Sequence, residues 1–195
     1  MTTIAYHAAS RTMASDSGQY NGKRFEGNIT KVFVLTDGSL YGAAGDADDR
    51  SLRALLEIKG DKVTDQELAE LELSIDAIYV RPCGTVYLIE CCSSDGKKRE
   101  AGGSLNLVRA PFYAVGSGRD VAYGSMQRGG TAEQAIEDAA VWNVWTRLPV
   151  QSVRLGHGEQ TAVQVEVVTD RYDVLRGLHT DPDAHGGERA VSVAG

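Results

Sequence analysis

The sequence predicts an α+β fold in which antiparallel β-sheets carry helices on their outer faces. Segments with strand composition come first, two helical segments follow, and this alternation is repeated before a final group of strands. Two early hairpins give the strands antiparallel neighbours, and two capping-box spacings mark the starts of helices. Sheets and helices separated in this way are typical of α+β domains. A chain of 195 residues can bury one complete core, so we expect one principal domain.

The first hairpin brings the start of the chain close to an aspartate. Residues 3–7 (TIAYH) and 12–16 (TMASD) have strand composition, and residues 8–10 form the turn between them. A hairpin centred near residue 9 pairs residues whose numbers sum to about 18. This register places Thr2 opposite Asp16.

The second hairpin joins residues 28–35 (NITKVFVL) to residues 39–45 (SLYGAAG). The Asp37-Gly38 pair between them is a strong signal for a two-residue turn. The predicted register places Lys31 opposite Ala44, so that Lys31 lies close to the glycines of the returning strand, Gly42 and Gly45.

Two helices and two strands are predicted next. The helix in residues 46–60 has Asp46 as its N-cap and ends at Gly60, and its leucines share one face. Thr64 and Glu67 have capping-box spacing and start a shorter helix. Residues 75–81 (IDAIYVR) and 85–92 (TVYLIECC) are strands, and residues 93–110 are predicted to be a polar loop.

The second half of the chain repeats this order. Residues 112–118 (FYAVGSG) are predicted to be a buried strand, and residues 119–129 a helix. Thr131 and Gln134 again have capping-box spacing, which starts another helix. Strands are expected in residues 152–156 and 161–175. Residues 179–195 are predicted to be a polar, flexible tail.

Composition excludes several classes of partner. The net charge of −7 disfavours a phosphate backbone, so we expect no nucleic-acid partner. No apolar run approaches the roughly 20 residues that span a membrane, and no secretory signal precedes the first strand. The three cysteines, Cys83, Cys91 and Cys92, form neither a C-x-x-C motif nor a disulfide framework. We therefore expect a cytoplasmic protein with reduced cysteines and no membrane partner.

The residues brought together by the two hairpins fit nucleophilic catalysis. A threonine hydroxyl needs a base, and removal of Met1 would give Thr2 a free α-amine with a pKa of roughly 7.7–8.0. Lys31, held charged by Asp16, would favour the neutral amine. The backbone N–H of Gly42 could bind an oxyanion. Each residue also has an ordinary interpretation: Thr2 as a strand former, Asp16 as a turn residue and Lys31 as a surface residue.

Five motifs in order resemble one family. MTTIAY, MASDSG, GNITKV, GAAGDADD and FYAVGSGRDVA are similar to HslV, the bacterial peptidase related to the proteasome β-subunit, over about residues 2–146. The resemblance implies the four-layer αββα sandwich of N-terminal nucleophile hydrolases. It gives Thr2 the role of nucleophile, Asp16 and Lys31 those of supporting ion pair, and Ser117 a place near the terminal amine. Gly42 matches the oxyanion glycine, with Gly45 as the alternative.

The resemblance weakens towards the C-terminus. Where the family has residues that support the site and a sodium ion, this chain has AAVWNVWTRLPV, in which Asn143 and Thr146 are the candidate ligands. No other cofactor is implied. The resulting domain prediction is a proteasome-like domain in residues 1–150, strands extending it in residues 151–178, and the tail in residues 179–195.

The function implied by the resemblance is that of a self-compartmentalising threonine peptidase. Such an enzyme cleaves unfolded polypeptides inside a homo-oligomeric ring, and an ATP-dependent unfoldase is an additional partner that the family allows. Two alternatives stay open at this point. One is a catalytically inactive scaffold or virion assembly protein, and the other is a small-amide hydrolase on the same fold.

Overall fold

The computed structural model describes residues 2–46, 48–94 and 101–156, together with the backbone of residues 166–168. In chain order, the elements of these residues are β1 (Thr3–His7), β2 (Thr12–Asp16), β3 (Gly18–Asn21), β4 (Arg24–Asn28), β5 (Val32–Val34), β6 (Leu40–Gly45), α1 (Arg50–Lys59), α2 (Asp65–Ala69), β7 (Ile75–Val80), β8 (Val86–Cys92), β9 (Gly102–Val108), β10 (Phe112–Gly116), α3 (Arg119–Gln127), α4 (Ala132–Trp142), β11 (Val150–Arg154) and β12 (Glu166–Val168). A single 3-10 turn (Gly60–Lys62) separates α1 from α2.

The first sheet has the strand order β10-β1-β2-β11-β12, and all its pairs are antiparallel. The predicted strands 3–7 and 12–16 are confirmed, and β1 lies inside the sheet between β10 and β2. The β1–β2 register pairs Ile4 with Ser15, so paired numbers sum to 19. The sequence predicted that paired residue numbers sum to about 18. Because the observed sum is one higher, Thr3 rather than Thr2 lies opposite Asp16.

The second sheet has the order β5-β6-β7-β8-β9 and is also antiparallel. The β5–β6 register pairs Val32 with Gly42, one residue away from the predicted alignment. Strand β9 lies in residues that were predicted to be a loop. Its sequence, GGSLNLV, has weak strand propensity, and it is a strand because it pairs with β8 along seven residues.

Three hydrophobic clusters connect the sheets and helices. The first contains buried side chains from both sheets, such as Ile4, Met13 and Ile78, and forms the core between them. The second joins the other face of the β6–β7–β8 strands to α1 and α2, through leucines such as Leu52 and Leu68. The third joins the small residues of β1 and β2 to α3 and α4. Antiparallel sheets combined with helices confirm the coarse prediction of a mixed α and β fold.

The hairpin of β3 and β4 was not predicted, although the sequence contains a signal for it. The Asn-Gly pair at residues 21–22 is a turn signal, and the observed two-residue turn is Gly22-Lys23, between the paired residues Asn21 and Arg24. Gly22 has a φ of 57°, which glycine adopts without strain. The aromatic rings of Tyr20 and Phe25 contact each other across this hairpin, with their centroids 5.6 Å apart.

The helix boundaries follow their caps. Both predicted capping boxes are present: Thr64 with Glu67 starts α2, and Thr131 with Gln134 starts α4. Helix α1 begins at Arg50, later than predicted, because the carboxylate of Asp46 accepts a hydrogen bond from the backbone N–H of Ser74 at 2.7 Å instead of capping the helix. Gly60 ends α1 with a φ of 58°, as predicted.

None of the described helices is long and apolar enough to cross a membrane. Strand β11 (Val150–Arg154) begins and ends two residues earlier than the predicted strand at 152–156, and it lies beside β2 in the first sheet. The division into domains stays a prediction. The tail that was predicted for residues 179–195 lies outside the described residues.

Candidate active site

Thr2 lies just before β1 and is almost completely buried, with 8% of its surface exposed. Its carbonyl oxygen accepts a hydrogen bond from the backbone N–H of Ser117 at 2.9 Å and another from the Ser117 hydroxyl at 3.4 Å. Ser117 follows β10, the strand that pairs with β1 on the other side from β2. These two hydrogen bonds fix the backbone of Thr2, and Ser117 contacts its carbonyl oxygen, whereas its predicted place near the terminal amine stays a prediction.

Asp16 organises the polar side of the site. It ends β2, is fully buried, and accepts a hydrogen bond from Nζ of Lys31 at 3.0 Å. Its carboxylate also accepts hydrogen bonds from the backbone N–H groups of Thr3 at 2.8 Å, Gly18 at 3.2 Å and Arg147 at 3.2 Å. Four donors compensate one buried charge, so the carboxylate is held in one position.

Lys31 joins the two sheets at this point. It precedes β5 of the second sheet, and its ammonium group donates to Asp16 and to the carbonyl oxygen of Gly18, the latter at 2.6 Å. Burial lowers the pKa of Lys31, while the Asp16 carboxylate opposes this shift. Burial likewise raises the pKa of Asp16, against the influence of Lys31 and of the Thr3 and Arg147 N–H groups. The predicted ion pair between Lys31 and Asp16 is present.

A pocket of about 100 Å³ opens beside Thr2 and Lys31. Its wall also includes the end of β6, the start of the β3 strand and the first turn of α1. The lining residues are Thr2, Gly18, Gln19, Tyr20, Ile29, Thr30, Lys31, Phe33, Ala43, Gly45, Asp46, Asp49 and Arg53. The nucleophile and the cation that the sequence predicted therefore face one cavity.

Of the two candidate glycines, Gly45 borders this pocket and Gly42 does not. Gly42 pairs with Val32 on one side and Ile78 on the other, in the interior of the second sheet. A Cβ added there would meet Sδ of Met13 at 2.9 Å, in the core between the sheets. The one-residue change of register is the reason, because it turns alternate residues of β6 to the opposite face. Gly45 ends β6 with a φ of 135° and pairs with Ile75 of β7.

Asn143 and Thr146 are committed to hydrogen bonds within the chain. The Asn143 side chain donates to the carbonyl oxygen of Ser117 at 2.5 Å and accepts from the N–H of Trp145 at 2.9 Å. The Thr146 hydroxyl is hydrogen-bonded to the Thr3 hydroxyl at 2.7 Å. A sodium ion needs convergent oxygen ligands. The side-chain oxygen of Asn143 accepts a hydrogen bond within its own loop, and that of Thr146 is hydrogen-bonded to Thr3 of β1. The sodium site at these two residues stays a prediction. Among the described residues, no three acidic, histidine or cysteine side chains group together as metal ligands.

Two parts of the site were missed by sequence reasoning. The Thr3 hydroxyl also accepts from the N–H of Gly118 at 3.0 Å, which ties β1 to the start of α3. On the other side of the pocket, the guanidinium of Arg53 lies 4.0 Å from the centre of the Phe33 ring. No local signal in the sequence placed Arg53 at this pocket.

The comparisons with known proteins concern the fold. No family model matches the chain, and no curated protein matches it. Among solved structures, the chain is similar to Thiobacillus denitrificans BPH, with a TM-score of 0.55 and 18% sequence identity over 80% of this chain and 99% of that one. The complex of Thiobacillus denitrificans BPH with epoxomicin gives a TM-score of 0.51 at the same identity and coverage. At this level of identity, the similarity supports a shared architecture.

Proposed function

We propose that this chain is a threonine peptidase of the N-terminal nucleophile class, similar to HslV, and that Thr2 is its nucleophile after removal of Met1. The observation that carries the proposal is the single pocket shared by Thr2 and Lys31, with Lys31 held by Asp16 at 3.0 Å. Burial of a charge pair costs desolvation free energy, which good geometry and further hydrogen bonds must offset. Ionisable groups whose pKa values are shifted by burial and by a charged partner are frequent at functional sites.

The architecture supports the same class. Two antiparallel sheets share one core, and each sheet packs helices through a further hydrophobic cluster. We infer that these packed elements form the four-layer αββα sandwich of N-terminal nucleophile hydrolases. The similarity in fold to Thiobacillus denitrificans BPH, which also has a structure in complex with epoxomicin, agrees with this inference.

Catalysis begins at the α-amine of the processed chain. The amine takes the proton of the Thr2 hydroxyl while Oγ attacks the carbonyl carbon of the scissile amide. The positive charge of Lys31 in the same pocket favours the neutral, basic form of the amine. Asp16 keeps Lys31 oriented, and Ser117 fixes the Thr2 backbone through its two hydrogen bonds.

The negative charge on the carbonyl oxygen needs a backbone N–H donor. We assign this role to Gly45, since Gly45 borders the pocket and Gly42 lies inside the second sheet. A well-placed donor of this kind stabilises the transition state by about 2.7–4 kcal/mol.

The tetrahedral intermediate then collapses. The C–N bond breaks, the leaving nitrogen takes the proton from the α-ammonium, and an ester joins the substrate acyl group to Oγ of Thr2. Water attacks this ester, the α-amine accepts a proton from the water, and the hydroxyl of Thr2 is restored as the acid product leaves.

The wider biology follows from the resemblance. The substrates are unfolded polypeptides, the enzyme works as a homo-oligomeric ring in the cytoplasm, and an ATP-dependent unfoldase delivers its substrates. A ring confines the active sites, so that folded proteins stay outside.

The test uses protein whose intact mass shows that the chain begins at Thr2. We expect this protein to cleave unfolded casein and fluorogenic peptides, and to gain the mass of one inhibitor molecule with a threonine-directed covalent compound such as epoxomicin. Thr2→Ala removes the nucleophile and should abolish both results, while Thr2→Ser keeps the hydroxyl and amine and should retain part of the turnover.

Thr36→Ala is the matched control, because Thr36 is exposed and does not line the pocket. This variant should keep full activity. If processed protein cleaves no peptide and takes up no inhibitor, the peptidase proposal is wrong, and an inactive scaffold on the same fold replaces it.

A further inference from the structure

The pocket beside Thr2 contains a fixed guanidinium group. Arg53 on α1 donates through Nε to Oδ1 of Asp49 at 3.0 Å, and its guanidinium plane covers the ring of Phe33. Its side chain is only 26% exposed. The ion pair fixes one edge of the guanidinium and the aromatic ring fixes its face, so this group is held in position before any ligand arrives.

The guanidinium keeps unused hydrogen-bonding capacity. Arginine has five N–H donors, and Nε supplies only one of them. Among the described residues, the two terminal nitrogens of Arg53 donate no hydrogen bond. These donors belong to a residue that lines the cavity next to the nucleophile, so a ligand in the cavity gains most from them if its side chain ends in an oxygen acceptor.

The charges around the cavity decide which acceptor fits. Asp16 balances Lys31, and Asp49 balances Arg53. The remaining charge on the lining is that of Asp46, an exposed residue whose carboxylate accepts a hydrogen bond from the backbone N–H of Ser74. A second carboxylate would be repelled by this group, and a cationic side chain would meet the guanidinium of Arg53.

We propose that this pocket selects a neutral carboxamide side chain, glutamine or asparagine, at the residue whose carbonyl Thr2 attacks, and that Arg53 is the residue that determines this specificity. The inference rests on the proposed function, since it assigns the cavity to the substrate of the same nucleophile. The carboxamide oxygen accepts from the terminal nitrogens of Arg53, and its lack of charge avoids the repulsion of Asp46.

The experiment compares peptides that differ only at this one residue, namely glutamine, glutamate, lysine or leucine. In processed wild-type protein, we expect the highest kcat/KM for glutamine. Arg53→Met should lower kcat/KM for glutamine about tenfold while changing that for leucine little, since one hydrogen bond to a charged donor is lost. Arg53→Lys keeps the positive charge but lacks the planar guanidinium with its paired N–H donors. It should therefore lower kcat/KM for glutamine by less than Arg53→Met does.

Arg50→Met is the matched control. Arg50 starts the same helix, but it is paired with Asp48, 79% exposed and absent from the pocket lining. This variant should keep the wild-type order of substrates. A second measurement does not depend on turnover: peptide products that end in glutamine should slow epoxomicin labelling of Thr2 more than those that end in leucine.

The outcomes separate the two proposals. If epoxomicin labels Thr2 but glutamate, lysine or leucine matches glutamine in both measurements, the specificity inference is overturned and the peptidase stands. The specificity inference is also overturned if the preference for glutamine in kcat/KM is equally large in wild-type protein and in Arg53→Met. If Arg53→Met does not fold, the specificity inference is tested by the order of kcat/KM values in the wild type and by the loss for glutamine in Arg53→Lys. Absence of both cleavage and labelling removes the peptidase proposal, and the inference with it.

Discussion

At the scale of single residues, Asp16 holds the site together, because it connects Thr3, Lys31 and the loop at Arg147 through one carboxylate. Lys31→Met removes the ammonium group that pairs with this carboxylate and leaves a buried charge. We expect the free energy of unfolding to fall by about 3–5 kcal/mol at neutral pH. Urea unfolding followed by circular dichroism measures this change. In the double variant Lys31→Met with Asp16→Asn, the free energy of unfolding should fall by less than the sum of the decreases in the two single variants.

The same variant should show a distinctive pH dependence. Burial raises the pKa of Asp16 above its ordinary value of 3.8, and removal of Lys31 raises it further. Between 3.8 and this raised value, the folded state binds the proton and the unfolded state releases it. The contribution of Asp16 to stability is therefore fully present below pH 3.8 and is lost as the pH rises through the folded pKa. Relative to wild type, Lys31→Met should be less destabilised in mild acid than at neutral pH, and an equal loss at both would contradict this account.

How much of the site could be predicted differs from residue to residue. Hairpin pairing and the family motifs both point to Thr2, Asp16 and Lys31, although the β1–β2 register differs by one residue from the predicted one. Ser117 follows from the family motifs alone. The glycine that borders the pocket could not be placed, since the face on which each β6 residue lies depends on a register that an error of one residue reverses. Arg53 could not be placed either, because its contact with Phe33 joins a helix to a strand that is distant in sequence.

At the scale of elements, helix α4 depends on its capping box. The Thr131 hydroxyl accepts from the N–H of Gln134 at 3.2 Å, and the Gln134 side chain accepts from the N–H of Thr131 at 2.9 Å. Thr131→Ala should lower the free energy of unfolding by about 1 kcal/mol, because a helix N–H loses its acceptor. Thr36→Ala makes the same substitution at an exposed position and should change it by less than about 0.5 kcal/mol. Equal effects from the two variants would show that the cap does not stabilise α4.

The elements that the sequence predicted well are those with strong local signals. Strands β1 and β2 and the two capping boxes carry such signals, and their observed bounds agree with the prediction. Strand β9 has none, since two glycines and alternating polar residues do not mark a strand, and only its pairing with β8 defines it. The hairpin of β3 and β4 is a different case, because Asn21-Gly22 is a turn signal that could have been used.

At the scale of the whole molecule, the resemblance to HslV predicts a homo-oligomeric ring. Light scattering coupled to size-exclusion chromatography should give a mass that is a multiple of 20.9 kDa. Thr2→Ala should assemble like the wild type, since it changes one small side chain at the pocket. A mass near 20.9 kDa at micromolar concentration would contradict the ring.

The contact between the two sheets gives the last prediction. Gly42 lies where β6 faces β1 and β2, and an added Cβ would come within 2.9 Å of Sδ of Met13 and 3.0 Å of Cγ2 of Ile4. Gly42→Ala should therefore lower the free energy of unfolding by about 1–3 kcal/mol, because overpacking forces the sheets or their side chains to shift. Gly102→Ala is the matched control, since nothing lies within 4 Å of its added Cβ. In a Met13→Ala background the cost of Gly42→Ala should shrink, because the sulfur that it meets is gone. If the cost is the same in both backgrounds, these two residues do not contact each other between the sheets, and the packing described for the core is wrong at this point.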